Sequence, residues 1–195
     1  MTRNFETVRI SRPFYRTTQL IIIPDDQSFQ TRSYLSPPAP ISELTMGPVF
    51  NMDFLLSVLD LQTQVLSLKA INPKTQKNIT LSDICLKPLA PDNENCTVFS
   101  ILQYYQNDED NLQKNINDGF FTYADYATHF LDCAQAPTTT SDGLLGLSCF
   151  GDFGGTINPF MVLGNYPNSV YINATATVIT LVIENSNDPE KVAIG

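Results

Sequence analysis

Four cysteines, Cys85, Cys96, Cys133 and Cys149, constrain this chain more than any other feature of its sequence. None stands in a C-x-x-C pair and His129 is the single histidine, so the close spacing that a zinc site needs is absent. Four cysteines allow three disulfide connectivities, and disulfides persist where the compartment is oxidising. Three N-glycosylation sequons point the same way: Asn78-Ile79-Thr80, Asn95-Cys96-Thr97 and Asn173-Ala174-Thr175. The longest aliphatic run is Leu20-Ile21-Ile22-Ile23, far short of the roughly 18 apolar residues that span a bilayer. The opening Met1-Thr2-Arg3-Asn4 lacks the apolar stretch of a signal peptide. A luminal fragment of a larger membrane or secreted protein reconciles these observations, with residues 1–195 as a single domain.

Composition excludes one large class of function. The 11 Lys+Arg against 20 Asp+Glu give a net charge of −9, and the basic residues form no cluster. A nucleic-acid binder needs a basic face to displace counterions, so no nucleic-acid partner is expected. Hydrophobic residues at 43% suffice for a packed core.

Along the chain, Thr17 to Ile23 is a β-branched apolar run closed by Pro24-Asp25-Asp26, a strand and turn. Residues 36–48 hold Pro37, Pro38, Pro40 and Pro48 and read as an exposed loop, closed to helix or central strand. A helix is predicted from Met52 to Lys69, with Leu55, Val58, Leu59, Gln62, Val65, Leu66 and Lys69 on the i, i+3, i+4, i+7 pattern. Asn51 is its N-cap and Asn72-Pro73 its stop. A second helix is predicted from Thr97 to Gln106, followed by a solvated break at 107–111. A third is predicted from Tyr123 to Ala134, stopped by Pro137. Residues 144–170 read as irregular apart from Phe160 to Leu163. Ala174 to Glu184 is a continuous β-branched run, a strand buried on both faces. Helices and strands interleave without a βαβ rhythm, so the class is α+β: a mixed sheet with packed helices.

No catalytic constellation emerges. Asp125 and His129 stand four apart on the third helix and could pair as the base of a Ser–His–Asp hydrolase. The nucleophile is missing, because Gly146-Leu147-Ser148-Cys149-Phe150-Gly151 places its second glycine one position too late for a G-x-S-x-G elbow. His129 is therefore read as a structural histidine, and a secreted hydrolase using it is the alternative of a different class. Asp108-Glu109-Asp110 lacks the glycine and glutamate of a calcium loop. Gly151-Asp152-Phe153-Gly154-Gly155 follows no strand and opens no helix, which argues against a phosphate cradle. No metal and no cofactor are expected. What stands out is Asp118-Gly119-Phe120-Phe121-Thr122-Tyr123, a glycine-led pair of phenylalanines just before a helix. Either both rings bury in the core, or a turn projects one or both as contact anchors. The proline loop, opened by Tyr34 and Leu35, raises the same question.

Asp83-Ile84-Cys85-Leu86-Lys87-Pro88-Leu89, the run from Asn95 to Asn107, and Phe120-Phe121-Thr122-Tyr123-Ala124-Asp125-Tyr126 are long segments that resemble the middle luminal domain of the Niemann–Pick type C1 sterol transporter family. His129-Phe130-Leu131-Asp132-Cys133, Phe153-Gly154-Gly155, Val162-Leu163-Gly164, Phe14-Tyr15-Arg16-Thr17-Thr18-Gln19-Leu20 and Val58-Leu59-Asp60-Leu61-Gln62 extend the likeness, which covers about residues 13–184.

The resemblance implies a luminal module of a multi-span cholesterol exporter of late endosomes and lysosomes. Two protruding loops of such a module grip the soluble Niemann–Pick type C2 sterol carrier, and filovirus glycoproteins use the same loops in the mammalian family. Other domains of the parent transporter are further partners, and the membrane is met only through that parent. The intestinal sterol-absorption relative, at the apical plasma membrane, is the alternative within the family. By matching motif, the second loop is Asp118, Gly119, Phe120, Phe121 and Tyr123, and the first opens at Tyr34, Leu35, Ser36 and Pro37. Between Pro37 and Gly47 this chain is longer than the family pattern. It stops at Gly195, where the family continues into a helix and a membrane span. One carrier touching both loops requires Tyr34 to lie near the phenylalanine pair. The resemblance, with the short loops they close, selects Cys85–Cys96 and Cys133–Cys149 as the disulfides. Asn78, Asn95 and Asn173 are the glycan acceptors.

Overall fold

The computed structural model describes residues 15–35, 42–73 and 75–184. In chain order the strands and helices begin with β1 (Tyr15–Ile22), β2 (Gln30–Tyr34), β3 (Ser42–Met46) and α1 (Met52–Leu66). A hairpin of β4 (Lys69–Ile71) and β5 (Asn78–Thr80) leads into α2 (Leu81–Ile84) and β6 (Val98–Phe99). The middle of the chain holds α3 (Glu109–Gln113), β7 (Ile116–Asn117), β8 (Thr122–Ala124) and α4 (Tyr126–Gln135). The last elements are α5 (Pro159–Val162), β9 (Leu163–Gly164) and β10 (Ala176–Glu184). The class is α+β, as the interleaving of short elements predicts.

Two four-stranded sheets carry the architecture. In the first, the order is β1-β10-β6 with β9 also on β10, and β1 and β10 pair antiparallel from Tyr15↔Glu184 to Ile22↔Thr177. β10 is buried along most of its length, as its unbroken β-branched run requires. The second sheet runs β3-β2-β8-β7. Between them lies an aromatic core: Phe130 of α4 meets Phe50 at 4.9 Å and Tyr104 at 5.1 Å between ring centroids. The buried hydroxyls there are partnered, with Tyr126 donating to the Phe50 carbonyl (2.6 Å), Tyr105 to that of Tyr126 (2.9 Å) and Tyr104 to that of Ile157 (3.0 Å). Cys85–Cys96 and Cys133–Cys149 are the two disulfides.

Local geometry corrects five sequence expectations. The helix expected at Thr97 to Gln106 is instead β6, paired through Phe99↔Thr180 and Val98↔Leu181, followed by a 3-10 turn at Ile101–Tyr105. All five residues of that turn are buried, so no polar face is left for an amphipathic helix, and Gln106 and Asn107 then take positive φ. The break expected at 107–111 contains the start of α3, with the Asp108 carboxylate accepting from the Asn111 amide at 2.8 Å. Asn51 caps α1 as predicted, but the helix ends at Leu66, because pairing of Lys69–Ile71 with Asn78–Thr80 takes the next residues. α4 begins at Tyr126 rather than Tyr123, since Asp125 is its N-cap. Within the proline loop, proline-free Ser42–Met46 forms β3, an edge strand, which proline exclusion from central strands leaves open.

Candidate docking surface at two adjacent loops

The β7–β8 turn is built by one carboxylate. Asp118 Oδ1 accepts from the amides of Phe120 (2.9 Å) and Phe121 (2.8 Å), and the Asp118 amide donates to the Phe121 carbonyl at 3.2 Å. The Tyr123 hydroxyl donates to Asp118 Oδ2 at 2.6 Å. Gly119 has φ +85°, a left-handed conformation that glycine adopts without penalty. On this closed backbone the Phe120 ring stands out, 91% exposed, whereas Phe121, at 39%, is more than half covered. An apolar ring so fully in water contributes nothing to the core. The Tyr123 hydroxyl, then the Phe121 and Phe120 amides, hold the Asp118 carboxyl below the usual carboxylate range. The same bond raises the Tyr123 hydroxyl.

The second sheet brings the other loop beside this turn. β2 pairs parallel with β8 through Tyr34↔Thr122, and the Leu35 amide donates to the Thr122 carbonyl at 3.0 Å. Adjacent strands lie about 4.8 Å apart, so the end of β2 sits at the root of the Phe120 turn. Ser36 and Pro37 lie outside the described residues.

Tyr34 is not an outward contact. It is 6% exposed, and its hydroxyl donates to the Asp125 carboxylate, 2.9 and 3.0 Å from its two oxygens. Burial first, then the Asp125 charge, drives its ionisation far above the ordinary tyrosine range. Asp125 also accepts from the amides of Ala127 (2.9 Å) and Thr128 (3.3 Å) and from Arg32 Nη1 (3.3 Å), while Arg32 stacks over the Tyr126 ring at 4.8 Å. One carboxylate thus ties the base of the first loop to the N-terminus of α4. The sequence reading missed this cluster. The D-x-x-T capping pattern of Asp125-Tyr126-Ala127-Thr128 and the i, i+2 spacing of Arg32 and Tyr34 on one strand face were its signals.

Asp125 and His129 do not pair, which corrects the dyad considered from their spacing. His129 is 1% exposed, with Nδ1 2.5 Å from Asp142 Oδ2 and Nε2 2.8 Å from the Tyr104 carbonyl. Ser148 turns its hydroxyl to the Phe150 amide at 3.1 Å. Among the described residues, no three His, Cys, Asp or Glu side chains come together as a metal site, and no helix is long and apolar enough to cross a membrane. Asn78 and Asn95 are exposed and Asn173 is half-buried. Asn95 Nδ2 donates to the Asp152 carbonyl at 2.9 Å.

Residues 9–194 match the family described as NPC1, middle luminal domain. The chain is 44% identical over 182 residues to NPC intracellular cholesterol transporter 1 of Sus scrofa, covering 92% of this chain and 14% of that protein. It is 37% identical over 187 residues to NPC1-like intracellular cholesterol transporter 1 of Homo sapiens, covering 91% and 13%. Identity to NPC intracellular cholesterol transporter 1 homolog 1b of Drosophila melanogaster is 27% over 185 residues, covering 92% and 14%. The chain therefore spans about a seventh of the length of these relatives.

Proposed function

The chain belongs to the NPC1 middle luminal domain family, and on that premise we propose that it is a luminal docking module that grips the soluble Niemann–Pick type C2 sterol carrier for sterol handover. One observation carries the reading: the Phe120 ring, 91% exposed, stands on a turn closed by three hydrogen bonds to the Asp118 carboxylate. Phe120 and Phe121 are the anchors, Asp118, Gly119 and Tyr123 fix their direction, and Leu35 supplies the neighbouring edge, with Ser36 and Pro37, outside the described residues, proposed as further contacts from the family resemblance. Tyr34 supports that edge from beneath. The parent is a cholesterol transporter of late endosomes and lysosomes, a placement favoured over the NPC1-like relatives by 44% against 37% identity. Asn78, Asn95 and Asn173 are proposed glycan acceptors. A hydrolytic role is disfavoured, because His129 is sealed from solvent and both its nitrogens are engaged.

The test is a pull-down of the carrier at pH 5 and pH 7 with wild type and with Phe120→Ala/Phe121→Ala. Truncating an aromatic anchor at an interface typically costs about 2 kcal/mol or more, so binding should weaken at least about thirtyfold. Phe120→Ala alone should leave the melting temperature nearly constant, since that ring is 91% exposed. Asp118 titrates below its ordinary range, so it remains ionised at both pH values and the turn keeps its shape. A large loss of melting temperature, or retained binding, would refute the assignment of the rings as anchors.

A further inference from the structure

We propose that Asn95 accepts its glycan only while the chain is being made, and that closure of the Cys85–Cys96 bridge ends that window. The inference rests on the reading of Asn95 as an acceptor. In the folded chain every member of Asn95-Cys96-Thr97 is held in place. Asn95 is itself exposed, but its Nδ2 donates to the Asp152 carbonyl and its amide to Asn93 Oδ1, both at 2.9 Å. Cys96 is bridged to Cys85, with the Cα atoms 5.5 Å apart. Thr97 is 5% exposed, its amide donates to the Leu86 carbonyl at 2.8 Å and its carbonyl accepts from the Val182 amide at 3.3 Å. Its hydroxyl is sealed from solvent and has no partner. A glycosyltransferase recognises the third residue of the sequon by its hydroxyl. Here that hydroxyl cannot be reached without lifting β6 away from β10.

The other two sequons differ in the same respect. Thr80 Oγ1 donates to Asp83 Oδ2 at 2.8 Å, and Thr175 Oγ1 exchanges hydrogen bonds with Asn165, both at exposed positions. Buried hydroxyls are nearly always bonded, and one left unpaired lowers stability. The fold alone thus gives no reason for a hydroxyl at position 97, whereas the sequon requires one before folding. Timing follows from the topology. β6 pairs with β10 through Val98↔Leu181 and Phe99↔Thr180, and β10 is the last strand of the chain. At about 5–20 residues per second it emerges several seconds after the sequon, so β6 is still open when Asn95 first meets the transferase. The bridge spans a separation of only 11 residues and waits for nothing downstream. Disulfides form in seconds or longer, the same range as that delay. Bridge closure, at the middle residue of the sequon, is therefore the first folding event that competes with glycan transfer.

The experiment is translation of the full chain into microsomes behind a cleavable signal sequence, with site occupancy read by mass spectrometry. In one arm an acceptor tripeptide blocks transfer during synthesis and is washed out after the chain has folded under oxidised glutathione or been held reduced in dithiothreitol. Asn95 of the oxidised chain should then fill at least about a hundredfold more slowly than that of the reduced chain, because modification tracks a small open population. Equal filling would overturn the proposal. An Asn95 that stays empty in both states and in unblocked synthesis would instead remove the acceptor reading, and the inference with it. In the second arm, with no block, Cys85→Ser leaves the sequon intact and should raise occupancy at Asn95. Cys133→Ser with Cys149→Ser removes the other bridge and should leave it unchanged, and an equal rise in both variants would overturn the bridge as the gate. Finally, in unglycosylated Asn95→Gln chain, Thr97→Val should melt no lower than its parent, since it removes an unpaired buried hydroxyl. A lower melting temperature would show that the hydroxyl serves the fold and overturn its assignment to the sequon.

Discussion

His129→Ala separates structure from chemistry at the residue that most invites an enzymatic reading. The imidazole is 1% exposed, and both its nitrogens face acceptors, Asp142 Oδ2 at 2.5 Å and the Tyr104 carbonyl at 2.8 Å. Both ring nitrogens thus lie within hydrogen-bond distance of a buried oxygen. Asp142 is itself only 7% exposed, and its other oxygen accepts from the amides of Gly146 (2.6 Å) and Leu147 (3.3 Å). The ring thus links α4 to the segment that carries Cys149. Truncation to alanine leaves the carboxylate buried without its partner, orphans the Tyr104 carbonyl and opens a void under Tyr105, whose ring centroid lies 5.8 Å away. Removing one member of a buried pair costs about 3–5 kcal/mol. At about 2–4 °C per kcal/mol for a chain of this size, the melting temperature should fall by about 6–20 °C. The assay is far-ultraviolet circular dichroism on the oxidised chain, run beside an esterase screen of both proteins. A shift below about 3 °C would refute the structural role, and an esterase activity lost with His129 would restore the hydrolase.

The Cys133–Cys149 bridge closes a separation of 16 residues, worth about 3 kcal/mol in the chain-entropy account. Cys133→Ala with Cys149→Ala should lower the melting temperature by about 6–12 °C, and a drop under about 2 °C would contradict that account. Alkaline stability should track four buried tyrosines: desolvation pushes Tyr126 up to about 12 and Tyr34, Tyr104 and Tyr105 higher still. Their raised folded values contribute stability that is complete below the unfolded value of about 10 and is lost as pH climbs above it. An ultraviolet titration should therefore show these four of the eight tyrosines ionising only with unfolding, and ionisation of all eight in the folded chain would sink the prediction.

What the sequence disclosed divides along physical lines. α1 was legible because Leu55, Val58 and Leu59 repeat at helical spacing and all three are buried, and β10 because a run of β-branched residues has no polar face to expose. Both signals are local. The Ile101–Tyr105 segment was misread because its apolar spacing imitates a helix, whereas the outcome is set by β6 pairing with a strand more than 70 residues later, which no local window contains. The turn at Phe120 was legible in composition, through Asp118 and Gly119, but not in direction. Outward placement follows from the Tyr123–Asp118 bond, which spans five residues across the hairpin. Tyr34 failed as a contact for the same reason: its partner Asp125 is 91 residues away.

The two loops come together through a feature that sequence cannot show at all. β2 and β8 meet in parallel at a single register point, Tyr34↔Thr122, where the last residue of β2 lies against the first residue of β8. That staggered register, rather than a shared direction of exit, sets the end of β2 beside the turn that precedes β8. Parallel strands need a long crossover, and here that crossover includes α1, the hairpin of β4 and β5, and both residues of the Cys85–Cys96 bridge. The middle of the chain therefore does more than fill the core. It is the length of polypeptide required to return β8 alongside β2 in the same sense, and its disulfide restrains that return. Asp125, bonded to Tyr34, Arg32 and the first turn of α4, then locks the join from beneath. The exposed rings of one loop and the edge of the other consequently share a rigid base rather than two independent tethers.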